Sequence, residues 1–473
     1  MIPITSEAYK LIHDGALALS YVEAAGMRID TDYIKRTVIK TKKRITKITK
    51  NMQSDSVYKT WKKRYGSDTN MGSREQLGDI LFNVLKLPCN FRTGSGKPQA
   101  NETALATIDL PFVKQFVKVE KLKKATGTYL EAILRETNSD GYMHPFFNLH
   151  LALTYRSSSD HPNFQNIPVR NPKIAKLIRR CFIARDNHQI IEVDYSGAEI
   201  ACATCYHKDP VMIRYIKTDP GRLHTDMATQ IFKLTKEEMT ANVGDENDAK
   251  RIKDIRYCGK NMFVFPEFYG DFYINCAKSL WEAVNKMQLK TRAGLSLHEY
   301  LKSQGILKLG KCDLEQDPRK HTFELHLKEV ENDFWNNRFK VYGQWKKEWW
   351  DEYQSQGYFD TLTGFRIRGI MRRNEVINYP VQGSAFHWLL WSLIRIQKML
   401  LKYNMKSLII GQIHDSIVGD VHGKEKQNYL EIVQQVMTID IRKHWKWINV
   451  PLSVEAEVAP VGGTWYDKQK VNL

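Results

Sequence analysis

The spacing of apolar and polar residues along the chain predicts a mixture of helices and strands. Apolar residues recur every three or four positions, as in amphipathic helices, over 11–30, 33–52, 113–137, 197–206, 384–403, 426–447 and most of 223–353. Short β-branched runs predict strands at 190–193, within a strand-and-turn stretch at 358–383, in a hairpin at 407–421 and in a last strand pair at 450–461. Two of these strands end at or near an aspartate, Asp194 and Asp415, so we expect two carboxylates at strand ends.

The composition indicates a folded protein with a polyanionic partner. Hydrophobic residues make up 42% of the chain, which excludes a disordered protein. The length of 473 residues favours about three domains. The 71 Lys and Arg against 53 Asp and Glu leave a net charge of +18, which favours nucleic acid, although charge alone also fits a ribosomal or membrane-surface protein. The stretch 35–64 holds twelve Lys or Arg and one acid. We favour contact with a phosphate backbone there over a merely solvated face.

The cysteines and the absence of a visible targeting signal predict a cytoplasmic protein. Seven scattered cysteines indicate reduced thiols. Cys202-x-x-Cys205 with His207 has the residue types of a zinc site, but no second ligand pair follows at zinc-finger spacing, so a buried helix is the better interpretation. The longest apolar stretch, 385–401, is too short and too interrupted to cross a membrane.

The two aspartates are candidates for a divalent-metal pair. Carboxylates on neighbouring strands can hold two cations about 3.5–4 Å apart, the arrangement used for in-line displacement at phosphorus. Ser196, Gly197 and Ala198 leave room for an incoming nucleotide after Asp194, and the carbonyl of Tyr195 is a further candidate ligand. Strand alternation would turn Asp415 one way and His414 and Ser416 the other. Alone, each aspartate also fits a structural role, as a helix N-cap or a hairpin turn.

Between the aspartates lies a basic helix that can grip a triphosphate. Arg256 and Lys260 are one helical turn apart and share a face. Alone, each is more often an exposed surface residue. Pro266 is expected to interrupt this helix, since proline disfavours helical geometry before it and donates no N–H. An aromatic residue after the interruption could stack on a base or lie beside the sugar.

These motifs resemble those of family A DNA polymerases, the group of bacterial DNA polymerase I and many phage enzymes. Asp194-Tyr-Ser-x-x-Glu199 is similar to the family's motif A, Arg256-x-x-x-Lys260 through Phe-Tyr-Gly270 to motif B, and His414-Asp415-Ser416 to motif C. Arg156-Ser-Ser-Ser-Asp-His-Pro-Asn-Phe-Gln-Asn-Ile-Pro168 matches the stretch that leads into motif A. Further similarities lie at 22–30, 73–77, 178–182, 223–228, 361–366 and 378–383, so the resemblance covers essentially the whole chain.

The resemblance implies a right-hand polymerase of mixed α/β (α+β) class, with a helical thumb, an antiparallel-sheet palm and helical fingers. The implied domains are a thumb at 1–155, a first palm segment at 156–215, fingers at 216–355 with an insertion at about 285–330, and a second palm segment at 356–473. The implied chemistry is template-directed addition of dNTPs to a primer 3′ end, with two Mg²⁺ ions (or Mn²⁺ as a substitute) at Asp194, Asp415 and Tyr195.

The resemblance also implies roles for individual residues. The implied nucleotide contacts are Glu199, His224, Arg256, Lys260, Phe265 and Tyr269, with Arg256 and Lys260 also acting in catalysis. The implied primer–template contacts are Arg156, Gln382 and His414, with Asn163, Gln165 and Asn166 as weaker candidates that alternatively hold their loop together. Whether a separate chain supplies an exonuclease, a helicase–primase or a processivity factor is left open by the sequence.

Three departures from the family pattern change the picture. Lys260 to Tyr269 spans nine positions where the family usually has eight, which predicts a bulge and leaves the nucleotide-facing aromatic open among Phe263, Phe265 and Tyr269. Ser416 stands where many relatives carry Glu, so two carboxylates are expected rather than three. We find no exonuclease motif before Arg156, so no proofreading domain is expected in this chain.

Two other functions remain open at this point. A single-subunit RNA polymerase shares the palm and can carry His-Asp-Ser, but Glu199 and the stretch 156–182 argue against it. A catalytically silent, polymerase-derived DNA-binding protein would not need Asp194, Asp415, Arg256 and Lys260 together.

Overall fold

The computed structural model describes residues 2–89, 92, 96–169, 171–310 and 322–473. Its strands are β1 (Ile2–Pro3), β2 (Met27–Ile29), β3 (Tyr142–Met143), β4 (Phe146–Asn148), β5 (Ser158–Asp160), β6 (Phe182–Ile183), β7 (His188–Tyr195), β8 (Tyr358–Asp360), β9 (Phe365–Arg368), β10 (Leu408–Ile413), β11 (Ser416–His422), β12 (Val454–Val458) and β13 (Gln469–Val471).

The helices occupy most of the remaining described chain. They are α1 (Ser6–Ala25), α2 (Thr31–Gln53), α3 (Ser56–Tyr65), α4 (Arg74–Gly78), α5 (Glu102–Ala106), α6 (Pro111–Lys123), α7 (Glu131–Glu136), α8 (Pro172–Arg179), α9 (Ala198–His207), α10 (Pro210–Thr218), α11 (Arg222–Ile231), α12 (Glu246–Gly259), α13 (Phe265–Phe268), α14 (Tyr273–Lys286), α15 (Leu297–Ser303), α16 (Phe323–Asp333), α17 (Lys340–Gln356), α18 (Arg373–Lys402), α19 (Lys426–Gln434) and α20 (Ile441–His444). Within the described ranges, none has both the length and the apolar character that crossing a bilayer requires.

The largest sheet has five antiparallel strands in the order β10-β11-β7-β12-β13. Its central strand β7 carries Ile191 and Val193 on the buried face, where β-branched side chains pack well. Helices α1 and α18 pack on this sheet. The prediction of strands before Asp194 and around Asp415 is confirmed, and so is the mixed helix-and-sheet class.

A second, smaller core lies among the helices between α2 and α6. Trp61, Phe112 and Phe116 are at its centre, and its members do not belong to the large core that surrounds the sheet. The basic helix α2 lies between the two units: Ile34 joins the large core and Met52 joins the small one. The described helices from α1 to α7 therefore pack partly on the small core and partly on the large core around the central sheet.

The expected strand and turn at 358–383 is wrong in its second half, because helix α18 already begins at Arg373 and contains Pro380. Proline at this position leaves the carbonyl four residues earlier without its helical donor. That carbonyl, on Val376, accepts a hydrogen bond from Trp349 Nε1 at 3.1 Å. A side chain from another helix thus stabilises a proline that would otherwise end α18.

The last strand pair also differs from the prediction. Strand β12 lies inside 450–461, but its partners are β7 on one side and β13, at 469–471, on the other. Residues 459–468 instead form the connection, which includes the buried Trp465. Strand β12 therefore belongs to the central sheet, next to the strand that carries Asp194.

Candidate active site

Asp194 lies near the carboxyl end of β7, with its side chain accessible to solvent. Gly197 has φ +66°, in the left-handed region that glycine adopts without cost. It allows the chain to turn at once from β7 into α9. Tyr195 points its ring into the core, where its hydroxyl lies 3.0 Å from Ser392 Oγ. Only the main-chain carbonyl of Tyr195 is thus suited to the ligand role predicted for this residue.

Asp415 is a turn residue and not a strand residue, which corrects the expected alternation. Ile413 pairs with Ser416, so His414 and Asp415 are the two residues of the β10–β11 turn. His414 has φ +47°, a conformation that non-glycine residues rarely adopt outside tight turns or functional sites. Gln412 Nε2 donates to the His414 carbonyl at 2.7 Å and fixes the turn.

The turn holds Asp415 against the end of β7. The backbone N–H of Tyr195 donates to the Asp415 carbonyl at 3.2 Å, and Asp194 pairs directly with Ser416 across the sheet. Although the Asp194 side chain reaches solvent, the protein packed around it partly desolvates the carboxylate, and the negative charges of Asp415, Glu192 and Glu455 add to this effect. Together they raise the pKa of Asp194 to about 7. The two predicted carboxylates are therefore adjacent and repel each other.

Arg156 connects this pair with Glu199. Its Nη2 donates to Asp415 Oδ1 at 3.2 Å, and its Nη1 lies 3.6 Å from Glu199 Oε1. Burial raises the pKa of Glu199, and the Arg156 guanidinium opposes that rise. On its other side Glu199 accepts a hydrogen bond from the hydroxyl of Tyr269. A continuous polar contact therefore runs from Asp415 to the segment that carries Lys260.

Arg256, Lys260 and His224 also come together. Arg256, on α12, donates from Nη2 to the Gly221 carbonyl at 3.0 Å, just before α11. Lys260 Nζ lies 5.1 Å from the centre of the Phe265 ring, and the His224 ring lies 6.1 Å from the same ring. Burial and the positive charges of Lys260 and Arg256 lower the pKa of His224 to about 4. At neutral pH, His224 is therefore an uncharged hydrogen-bonding group between two cations.

The predicted bulge in this helix is confirmed, and its place explains the nine-residue spacing. Lys260–Val264 form a π turn, which absorbs one extra residue within a helix. The helix then continues through α13 to Phe268, so the expected interruption at Pro266 is wrong.

The bulge also decides which aromatic residues line the cavity beside Glu199. Phe263 is fully buried, with its ring 5.5 Å edge-on from Phe334. Phe265 and Tyr269 have ring centres 6.3 Å apart and line one cavity together with Glu199. Among the three aromatic candidates, Phe263 is therefore excluded.

The residues expected to contact a primer–template divide into two groups. Asn163, Asn166 and His414 are exposed, and Gln382 is partly buried on α18. Gln165 is buried and donates from Nε2 to Ser157 Oγ at 2.8 Å and to Gln412 Oε1 at 2.7 Å. Those bonds favour the alternative role for Gln165, in which it holds the 156–168 loop against the β10–β11 hairpin.

Sequence reasoning missed a set of residues that face this loop. Lys121, Lys124 and Tyr129 line a cavity of about 360 Å³ together with Gln165, Asn166 and His414. The Tyr129 hydroxyl donates to the Asn166 carbonyl at 3.2 Å. The signal was present as lysines on the helix predicted over 113–137, but only the tertiary structure shows that they face His414.

The zinc interpretation is not supported. Cys202 and Cys205 are buried in α9, and the His207 ring stacks on Tyr342 with centres 3.9 Å apart. In the part of the chain that the structure describes, no three His, Cys, Asp or Glu side chains converge to hold a metal. The preferred interpretation, two small residues on a buried helix, is confirmed.

A comparison with models of known protein families shows the family of this chain. The family model described as DNA polymerase family A matches residues 33–257 and 328–467. The chain belongs to DNA polymerase family A. The stretch between the two matched ranges, 258–327, overlaps the insertion predicted at 285–330, of which 311–321 lie outside the described residues.

Individual relatives of this family A chain are bacterial and viral. DNA polymerase I of Lactococcus lactis subsp. cremoris is 25% identical over 98% of this chain and 46% of its own length. DNA polymerase I of Bacillus subtilis is 25% identical over 96% and 45%. The DNA polymerase of Bacillus phage SP01 is 25% identical over 85% and 41%. The chain thus spans less than half the length of these relatives.

A solved structure shares the fold of this family A chain. The POL domain of Pol1 from M. smegmatis, in complex with DNA primer-template and dNTP, aligns with a TM-score of 0.70 and 22% identity. The alignment covers 96% of this chain and 70% of that one. The right-hand fold expected from the motifs is therefore that of a known polymerase domain.

Proposed function

We propose that this chain is a template-directed DNA polymerase that adds dNTPs to a primer 3′ end. One observation carries the proposal: the contacts from Asp415 through Arg156 and Glu199 to Tyr269 join the carboxylate pair to the helix that carries Lys260. Nucleotidyl transfer needs these two groups in one site, because the reacting phosphate lies between the metal ligands and the triphosphate-binding cations.

The donor set suits Mg²⁺, with Mn²⁺ as a substitute. Asp194, Asp415 and the Tyr195 carbonyl offer only oxygen atoms, which hard divalent cations prefer. Burial first, and then repulsion from neighbouring carboxylates, raise the pKa of Asp194, and bound cations would relieve that repulsion. When bound, two divalent ions favour attack of the 3′-hydroxyl and stabilise charge on the phosphates. Metal binding at these three groups is part of the proposal.

The other side chains bind and orient the substrates. Arg256 and Lys260 bind the triphosphate, and Lys260 gives a proton to the leaving pyrophosphate. His224, uncharged at neutral pH, offers a hydrogen bond to a phosphate. Phe265 lies against the nucleotide. The hydrogen bond from the Tyr269 hydroxyl to Glu199 lies beside the proposed position of the sugar. A ribose 2′-hydroxyl would have to displace this bond, which disfavours ribonucleotides.

The DNA is proposed to lie along the exposed side of the sheet. Arg156, Gln382 and His414 contact it near the growing end, with Asn163 and Asn166 as weaker contacts. The domains follow as a thumb at 1–155, a palm at 156–215 and 356–473, and fingers at 216–355. The basic stretch 35–64 grips the phosphate backbone. A separate exonuclease, helicase–primase or processivity factor would complete replication in the cytoplasm of a bacterium or an infected host.

The test is extension of a labelled primer on a DNA template with Mg²⁺, with dNTPs and rNTPs compared. Asp415→Asn removes a proposed ligand, whereas Asp186→Asn removes an exposed carboxylate that pairs only with Arg28 among the described salt bridges. We expect extension with dNTPs, lost in Asp415→Asn and kept in Asp186→Asn. Efficient use of rNTPs would indicate an RNA polymerase instead, and tight DNA binding without extension would indicate a binding protein.

A further inference from the structure

The candidate metal site has one carboxylate fewer on β11 than the family motif often provides. Ser416 follows Asp415 where many relatives carry Glu, and it is buried. Its hydroxyl contacts Glu192 Oε1 at 3.2 Å and the Ile413 carbonyl at 3.0 Å. Ser416 therefore adds no negative charge to the site, and its hydroxyl is already engaged.

We propose that Glu455, on β12, supplies the third carboxylate of this metal site. The proposal rests on the proposed polymerase function and adds a residue to its active site. It follows from the register of three neighbouring strands: Ser416, Asp194 and Glu455 form one row across β11, β7 and β12. Directly opposed residues of an antiparallel pair share a face, with Cβ atoms about 4.5–5.5 Å apart. Glu455 thus lies beside Asp194, on the side opposite Ser416.

Glu455 differs from the other acids on this face in how it is held. Glu192 and Glu457 both contact Lys468, whose side chain is only 10% exposed, and Glu192 also accepts from Trp465 Nε1 at 2.9 Å. Lys468 thus holds both acids, of which Glu192 is 15% exposed and Glu457 is 38% exposed. Glu455 contacts Lys470, and this pair is 56% and 69% exposed. An exposed ion pair contributes little stability, so Glu455 can leave Lys470 when a stronger cation is present.

The contact with the ion is through water. In the described residues no three acidic or metal-binding side chains converge tightly enough to ligate one ion directly. A carboxylate one strand away can accept hydrogen bonds from the water of a cation bound at Asp194, and it adds negative charge to the site. Such outer-shell partners affect metal affinity by about 10–100-fold.

The experiment measures Mn²⁺ binding by electron paramagnetic resonance titration of the full chain bound to primer–template. Glu455→Gln keeps the size of the side chain and removes its charge. Glu457→Gln is the matched control, because Glu457 lies on the same strand and the same face, one row farther from Asp194 and opposite Glu192. We expect Glu455→Gln to weaken Mn²⁺ binding by at least about tenfold, and Glu457→Gln to change it by less than about twofold.

A rescue variant separates this role from a general effect on the fold. Ser416→Glu combined with Glu455→Gln places a carboxylate on the other side of Asp194 in the same row, and we expect it to restore most of the Mn²⁺ affinity. Circular dichroism melts of all variants show whether each one is folded. Equal Mn²⁺ affinities in Glu455→Gln and Glu457→Gln, or no recovery in the double variant, would overturn the proposal.

The same titration distinguishes the two proposals. Asp194→Asn should abolish Mn²⁺ binding if the carboxylate pair is a metal site. Unchanged binding in Asp194→Asn would refute the metal site itself and, with it, the role of Glu455. Loss in Asp194→Asn with normal affinity in Glu455→Gln would refute the role of Glu455 alone.

Discussion

Gly383, on α18, lies against the chain segment that carries Arg156. A Cβ atom at this position would be 2.4 Å from the main-chain carbonyl oxygen of Thr154, where ordinary contact begins at 3.4 Å. Gly383→Ala therefore requires one of the two backbones to move by about 1 Å. Arg156 follows Thr154 by two residues and Gln382 directly precedes Gly383, so the displacement reaches two proposed primer–template contacts.

Two effects of opposite sign set the size of the change. Alanine favours a helix over glycine by about 1 kcal/mol, whereas overpacking of a core costs about 1–3 kcal/mol. The opposing atom belongs to a backbone carbonyl, which cannot rotate away as a side chain can, so the upper end of that cost applies. We expect a net loss of about 2 kcal/mol in the free energy of unfolding, and a fall in nucleotide insertion of up to about 100-fold, since misplacement by 1 Å can cost that much.

Urea titration measures the first quantity, and single-turnover insertion of one dNTP measures the second. Gly127→Ala is the control, because the nearest atom to its added Cβ, apart from its own helix backbone, is a flexible Glu131 oxygen at 3.7 Å. That variant should be at least as stable as the natural chain. A Gly383→Ala protein that unfolds at the same urea concentration and inserts at the same rate would refute the reasoning.

Three further predictions follow from neighbouring features. Phe265→Ala should raise the KM for dNTPs with little change in stability. Phe263→Ala, in the core beside Phe334, should instead lower the free energy of unfolding by about 3–5 kcal/mol. Steady-state kinetics and urea titration measure the two effects, and the opposite pattern would show that Phe263 faces the nucleotide. Glu199→Ala should raise the ratio of rNTP to dNTP incorporation at least about tenfold, and an unchanged ratio would contradict its proposed role. Burial lowers the pKa of His387 from 6.5 to about 3. Because this pKa is lower in the folded protein than in the unfolded chain, the contribution of His387 to the free energy of unfolding is fully present above pH 6.5 and falls by roughly 1 kcal/mol per pH unit below it. His387→Asn should flatten this dependence in urea titrations at several pH values, and an equal slope would argue against it.

Local signals were sufficient for the strands that carry the site. The run Ile190, Ile191 and Val193 is β-branched and short, and no competing helical period overlaps it, so its strand was predictable. Pro380 in α18 led to the wrong prediction of strand and turn up to residue 383, because a proline usually ends a helix. In this fold Trp349 supplies the missing donor from another helix, and no pattern around Pro380 announces that contact.

The site was predictable in its charges and less so in its geometry. Counting residues between Lys260 and Tyr269 was enough to predict a bulge, because an extra residue must be absorbed somewhere. Which aromatic faces inward depends on the packing of Phe263 against Phe334, more than seventy positions away along the chain. His414 has a positive φ, which is uncommon among non-glycine residues and which no pattern in the sequence announces. The strand alternation predicted for Asp415 was therefore wrong.

The place of β7 in the sheet has a consequence for how the protein is made. Both neighbours of this strand, β11 and β12, are encoded more than two hundred residues after it. During synthesis, β7 therefore has no sheet partner until the ribosome has made those later residues. The small core among α3 to α6 uses contacts close in sequence and can form much earlier. We therefore expect nascent chains released before β11 to contain a folded helical unit and an unpaired, apolar β7. Such products would be prone to aggregate through that strand.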